Sequence, residues 1–172
     1  DKSSVLASPH ERTKARFFHL RPESSLSDLL DHPAFQGFGR LMLPWDGRDY
    51  DKAMPLKDIG QLLPYHSAVV PAVVVAALNL MVDDAGAART VFYNFYTDAQ
   101  RQADPTLNHT DLFFVRGKPG APFAIIAPGG GFSYVGSVHE GFPYAEEISK
   151  QGFNAFVLKY RAGHGGRVAT ED

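Results

Sequence analysis

Hydrophobic and polar positions change rhythm several times along the chain, and each change predicts a different kind of element. Residues 1–23 are polar, carry Pro9 and Pro22, and keep no period, so an extended arm is expected, ordered only around Phe17, Phe18 and Leu20. Ser25 then stands where it can cap a short helix over Leu26–Leu30, with Asp28 in the first turn, where negative charge is favoured, and Pro33 as the stop. From Gly37 to Lys57, Gly, Pro and Asp punctuate the chain every few residues, which predicts irregular structure with Trp45 packed into it. Pro71 suits the first position of a helix reaching Asp83 or Asp84, with Gly86 just beyond as the stop. Val73, Val74, Val75, Leu78, Leu80, Met81 and Val82 make that helix apolar nearly all round, which predicts burial between layers. Its β-branched content leaves a strand over Val69–Val75 as the alternative.

The rhythm becomes strand-like further on. Thr90–Tyr96 and Asp111–Arg116 are aromatic-rich runs separated by a polar stretch containing Pro105, as expected of antiparallel neighbours joined by a long loop. Lys118-Pro119-Gly120 predicts a turn, and Pro122–Ala127 a short strand covered on both faces. Pro128-Gly129-Gly130-Gly131 follows, then a helix from about Glu140 to Lys150, a stop at Gly152, and a buried strand over Asn154–Tyr160. Strand, glycine loop, helix and strand make a βαβ unit, so the fold class is α/β: a mixed, mostly parallel sheet with flanking helices. The chain divides into a mainly irregular or helical N-terminal extension, residues 1–88, and a sheet-forming part, residues 89–172. Two apolar strands of a parallel sheet need further strands and helices to bury them. Thr170-Glu171-Asp172 has the look of a helix start, so a continuation or a second polypeptide completing the fold is expected.

Composition removes several functional classes. Hydrophobic residues are 44% and aromatic residues 12%, with a formal charge of -2, the profile of a soluble globular protein. Lys and Arg are scattered apart from Arg12–Arg16, so no basic stripe exists for nucleic acid. The longest apolar run, Ala68–Val82, is broken by Pro71 and Asn79 and falls short of the roughly 20 residues that span a bilayer, so no membrane span is expected. Absence of cysteine excludes disulfides and thiolate chemistry and fits cytoplasm or periplasm. The sequence starts at Asp1 without Met or an apolar signal region, as if any targeting peptide had been removed or never included. His10, His19, His32, His109 and His164 never take the i, i+4 spacing of a helical zinc pair, so no metal site and no cofactor are expected. Tyr65-His66-Ser67 reads as a hydrogen-bonded loop.

The chemistry-bearing feature is the glycine run. Bare backbone at the end of a strand and ahead of a helix lets N–H groups approach a negative charge, either a phosphate or a transient oxyanion. Counting from Gly129 and Gly131, a dinucleotide fingerprint would need glycine at Tyr134. A P-loop counted from Gly131 finds Gly136 but offers Ser137 in place of lysine. Both phosphate motifs fail, and Pro128-Gly129-Gly130-Gly131-Phe132 resembles the HGGG-type oxyanion loop of esterases and lipases.

From about Thr90 onward, the order of antiparallel strands, glycine-ended strand, helix and strand with Arg161 resembles the opening of the α/β-hydrolase fold. It is similar to bacterial esterases of the carboxylesterase and acetyl-xylan-esterase type. The resemblance implies a serine-type carboxylic ester hydrolase acting on a small ester or acylated carbohydrate, periplasmic or secreted in preference to cytoplasmic. It assigns the oxyanion amides to Gly130 and Gly131 and places Gly129, Phe132, Ser133, Tyr134 and His139 along the substrate. Pro128 departs from the pattern, standing where a histidine often braces the loop. No G-x-S-x-G elbow is present. The nearest segment, Gly131-Phe132-Ser133-Tyr134-Val135, has Val135 in the last place, so Ser133 is a loop or capping hydroxyl and the Ser/Asp(Glu)/His triad is expected outside this chain. His139-Glu140 either initiates the helix or, for His139, borders the pocket mouth. Phe132 and Tyr134 either shape an acyl pocket or simply pack. The competing reading is a non-catalytic hydrolase-like module for interaction or ligand binding.

Overall fold

A computed structural model describes residues 8–63 and 68–163. Tyr65-His66-Ser67, His164 and the expected helix at Thr170 lie outside the described residues.

The polar N-terminal stretch holds a helix instead of an extended arm. Ser8, Pro9 and Glu11 form a capping box at the start of α1, Pro9–Arg16. The Ser8 hydroxyl accepts from Glu11 N–H at 3.2 Å and the Glu11 carboxylate accepts from Ser8 N–H at 2.7 Å. The helix lacks apolar periodicity because it buries nothing, so the cap was its legible signal. α2, Leu26–Leu30, forms as expected beneath its Ser25 cap. Short 3-10 turns at Pro33–Phe35, Gly39–Met42 and Leu56–Leu62 fill the irregular stretch.

The apolar run resolves as helix, α3, Pro71–Gly86, with Gly86 as its last residue. Asn79, the one polar break in its middle, pairs with both backbone groups of Leu20, accepting from its N–H at 2.8 Å and donating to its carbonyl at 2.9 Å. That pair of hydrogen bonds ties the N-terminal segment along the helix.

Among the described residues the sheet is four-stranded, in the order β1-β2-β4-β3. β1 is Phe92–Tyr93, β2 Asp111–Val115, β3 Phe123–Ile126 and β4 Asn154–Lys159. α4, Asp98–Ala103, sits in the β1–β2 connection, and α5, Phe142–Lys150, links β3 to β4. β1–β2 and β2–β4 are antiparallel and β3–β4 parallel. The expected mixed sheet is therefore present, but among the described strands one pairing alone is parallel, because only the α5 crossover returns the chain in the same direction.

α3 and α5 pack on each other and on the sheet, where Phe113, Val115, Ala155 and Val157 are buried. This core runs without a break into Leu20, Leu26, Phe35, Met42 and Ile59 of the N-terminal part. The other face is aromatic, with Phe114 and Phe156 stacked at 4.4 Å and Phe123 edge-on to Phe156 at 5.7 Å. β3 departs from the expected strand covered on both faces. It lies at the sheet edge, with Phe123 64% and Ile125 58% exposed on the face they share with Phe156, which no described element covers. No described helix is long and apolar enough to cross a membrane.

His32 is a pH-sensitive joint within this core. Its imidazole is 1% exposed, Nδ1 accepts from Ala34 N–H at 3.1 Å, and Nε2 lies 2.8 Å from the Phe18 carbonyl, an arrangement that fits the neutral ring. Burial lowers its pKa, against the opposing pull of the Phe18 carbonyl and the Asp28 carboxylate. The unfolded chain thus takes up the proton first. The stabilisation from the neutral ring is present above about pH 6.5 and is lost as the pH falls towards the folded pKa, at up to about 1.4 kcal/mol per pH unit. Urea unfolding at pH 7.5 and 5.0 should show a smaller acid loss for His32→Gln than for the parent. Identical losses would rule this joint out.

Candidate functional site

The glycine loop leaves the C-terminal end of the parallel strand β3 and is closed by its own backbone. Gly136 N–H donates to Gly129 O at 2.9 Å, and within that closure the N–H groups of Ser133 and Tyr134 both reach Gly130 O, at 3.1 and 3.3 Å. Gly131 and Phe132 both take φ +60, the left-handed region. For Gly131 this is free, whereas for Phe132 it is a strained conformation of the sort that clusters at functional sites. A Cβ on Gly130 would overlap the Tyr134 carbonyl oxygen, so the turn closes only with glycine there.

The three glycine amides separate into two kinds. Gly129 N–H donates to Glu140 Oε2 at 2.5 Å. The N–H groups of Gly130 and Gly131 donate to no group among the described residues. Gly131 and Phe132 are exposed and Gly130 half-buried, so this pair of amides sits at the surface end of the loop.

Glu140 reaches Gly129 because the segment after the loop is wider than an ordinary helix. The expected helix start at Glu140 is replaced by a π-turn over Ser137–Gly141, and α5 begins at Phe142. A Cβ on Gly141 would press on Val157 of β4, so glycine lets this turn lie close to the sheet. His139 and Glu140 lie side by side, His139 Nε2 standing 3.7 Å from Glu140 Oε1; the His139 side chain is 6% exposed and lies against Gly136, and the Glu140 side chain is 38% exposed.

The remaining predicted site residues take different places. Phe132 projects at the loop tip, 64% exposed, and its carbonyl accepts from Gly163 N–H at 2.7 Å. Ser133 is half-buried beside the Gly131 carbonyl. Tyr134 is 6% exposed and packs against Trp45 with ring centres 4.6 Å apart. Tyr134 and His139 thus support the loop from beneath, while Gly129, Gly130, Gly131, Phe132 and Ser133 make its outer course.

Three further supports hold the loop and its surroundings. Glu140 is one. Tyr160, whose hydroxyl donates to the Pro128 carbonyl, is the second, and burial followed by the Glu140 charge raises its pKa. The third is a buried ion pair, Lys159 Nζ to Asp46 Oδ1 at 3.3 Å, with side chains 0% and 8% exposed. Burial lowers the Lys159 pKa, Asp46 opposes this, and Arg40 adds to it. The period-two alternation Ala155, Val157, Lys159 already put the lysine on the core face, which was a readable sign. A cavity of about 310 Å³ lined by Asp46, Thr106, His109 and Arg161 lies beside this end of β4. Among the described residues no group of three or more His, Asp or Glu side chains could hold a metal ion.

A mixed sheet flanked by helices, with a glycine-rich turn at the end of a strand, is compatible with an α/β fold. Over 76 residues the chain is 35% identical to the acetylxylan esterase of Xylanibacter ruminicola, a match covering 41% of this chain and 16% of that protein. The relationship is esterase-like. The chain spans about one sixth of the length of that relative. No protein-family profile and no solved structure matches the chain.

Proposed function

We propose that this chain is the leading part of a serine-type carboxylic ester hydrolase of the α/β-hydrolase superfamily, supplying the oxyanion hole. The observation that carries the reading is the contrast within the loop: Gly129 N–H is taken by Glu140, while the neighbouring Gly130 and Gly131 N–H groups have no acceptor among the described residues. Two adjacent amides held by a closed turn suit the negative oxygen that develops when a nucleophile adds to an ester carbonyl. The order of strands and the partial likeness to an acetylxylan esterase support the same class, and point to small esters or acylated carbohydrates as substrates.

In this reading a serine attacks the ester carbonyl and a histidine takes its proton and passes it to the leaving alcohol, while Gly130 and Gly131 donate to the oxyanion. Phe132 and Ser133 border the substrate and Gly129 is the braced root of the loop. These residues contain no G-x-S-x-G elbow, so the triad belongs to polypeptide beyond them. The same polypeptide would pair with the bare edge of β3 and cover Phe123 and Ile125.

A fluorophosphonate probe, which labels activated serines, tests this on the protein purified from its source. Labelling of the polypeptide that carries this chain, or of one that co-purifies with it, together with hydrolysis of p-nitrophenyl acetate, is the expected result. Absence of both in folded protein would replace the esterase reading with a non-catalytic hydrolase-like binding module.

A further inference from the structure

The glycine loop is held from the N-terminal part of the chain as well as by its own turn. Val135 N–H, at the loop's inner end, donates to the Pro44 carbonyl at 3.3 Å. The next residue, Trp45, lays its ring against Tyr134, whose carbonyl stands where a Gly130 side chain would otherwise be. Trp45 is itself fixed, its Nε1 donating to the Leu62 carbonyl at 3.1 Å and its N–H to the Tyr50 hydroxyl at 2.8 Å. Asp46 then turns inward to Lys159 on the last residue of β4. Three consecutive residues thus touch loop, loop and sheet in turn.

The ion pair is an unusual way to end this segment. Lys159 Nζ is fully buried and makes no hydrogen bond, so its contact with Asp46 is an attraction at 3.3 Å without further satisfaction. Such a pair adds little net stability, since both charges lose water, but removing one partner strands the other in the core. What the pair does supply is a definite position: the carboxylate is drawn between Lys159 of β4 and His109, whose Nδ1 lies 3.5 Å from the same oxygen, and residues 44–46 follow it.

We infer that Asp46 and Lys159 are positioning residues that pin the Pro44–Trp45–Asp46 segment against the glycine loop and so fix the direction of the Gly130 and Gly131 amides. The mechanical part of this inference stands on packing alone; its catalytic part rests on the esterase reading above. Neither residue touches the loop itself. Asp46 acts through Trp45 and Pro44, and Lys159 acts through Asp46.

The test is hydrogen exchange, read by mass spectrometry on peptides spanning 129–136 and on peptides from α3, in the full protein. Lys159→Met alone leaves the buried Asp46 carboxylate with His109 Nδ1, at 3.5 Å, as its remaining ion-pair partner and is a poor probe, because it threatens the whole fold. Asp46→Asn with Lys159→Met removes both charges while keeping shape. We expect this double variant to retain α3 protection and to exchange about tenfold faster across 129–136. Wild-type protection of the loop in the double variant overturns the inference, and so does loss of α3 protection, since the pair would then belong to the core at large. On a hydrolysable ester the expected companion is kcat lower by about 10- to 100-fold with KM within about twofold. If the parent protein turns over no ester but its loop loosens as described, the positioning role stands and the esterase reading fails. Unchanged kcat beside a loosened loop refutes the catalytic part alone.

Discussion

Alanine at Gly130 is expected to reduce ester turnover by at least about 100-fold, the cost typical of disabling an oxyanion donor. Its methyl group would overlap the Tyr134 carbonyl oxygen, and Tyr134 has little room to retreat because Trp45 packs on its ring. The turn that brings Ser133 and Tyr134 N–H onto the Gly130 carbonyl must then open, moving both candidate donors together. Gly131→Ala is the informative comparison. Nothing lies within 4 Å of a Cβ there, and the cost is that of an alanine at φ +60, about 1–2 kcal/mol. Its folding should survive and its turnover should fall less than that of Gly130→Ala. Proline at Gly131 would remove the N–H outright, but its fixed φ near −65° would rebuild the turn and confuse the two effects. Measuring p-nitrophenyl acetate kinetics beside thermal melts separates them. Gly130→Ala with turnover within a few-fold of the parent would sink the oxyanion assignment.

Phe113→Ala should cost about 3–5 kcal/mol. The ring is 0% exposed and stands where the parts of the fold meet: Phe92 of β1 at 5.4 Å, Phe142 of α5 at 5.4 Å and Phe38 of the N-terminal part at 6.3 Å. Its removal leaves a cavity bounded by three elements that are themselves held elsewhere, so collapse into it is limited. Against a typical domain stability of about 5–15 kcal/mol this is a large fraction. Tyr144→Ala, at a ring 60% exposed on α5, serves as the control and should change stability by less than about 1 kcal/mol. Urea titration of both variants decides the matter, and a Phe113→Ala loss as small as the control's would mean that the sheet and the N-terminal part are not packed through this ring.

Local signals carried much of the architecture. Ser25, Pro71, Gly120 and Gly152 acted where their chemistry implied, capping, opening or ending elements, because each effect depends on a few neighbouring residues. The antiparallel pairing of β1 with β2 and the βαβ unit were legible from period and order. The α1 helix leaves little trace in the sequence, since Pro9 reads as a breaker in isolation and becomes a first-turn residue only behind Ser8. The exposure of β3 was hidden for a different reason: an apolar run records what a strand is suited to face, not which neighbours are present. The glycine loop was visible as composition, but its working parts were not. That Gly129 is occupied by Glu140 depends on a π-turn, and that Trp45 braces Tyr134 depends on contacts between residues nearly ninety positions apart, which no local pattern encodes.

The placement of β4 between β2 and β3 sets the order in which the sheet can assemble. While a ribosome is still adding residues before Asn154, β2 has only the two-residue β1 beside it and β3 has no described neighbour at all. Both sides of the sheet therefore wait for one late strand to slot between them. Until then the edges of β2 and β3 that β4 will pair with stay bare, and this stretch of synthesis is one at which chaperone capture would matter.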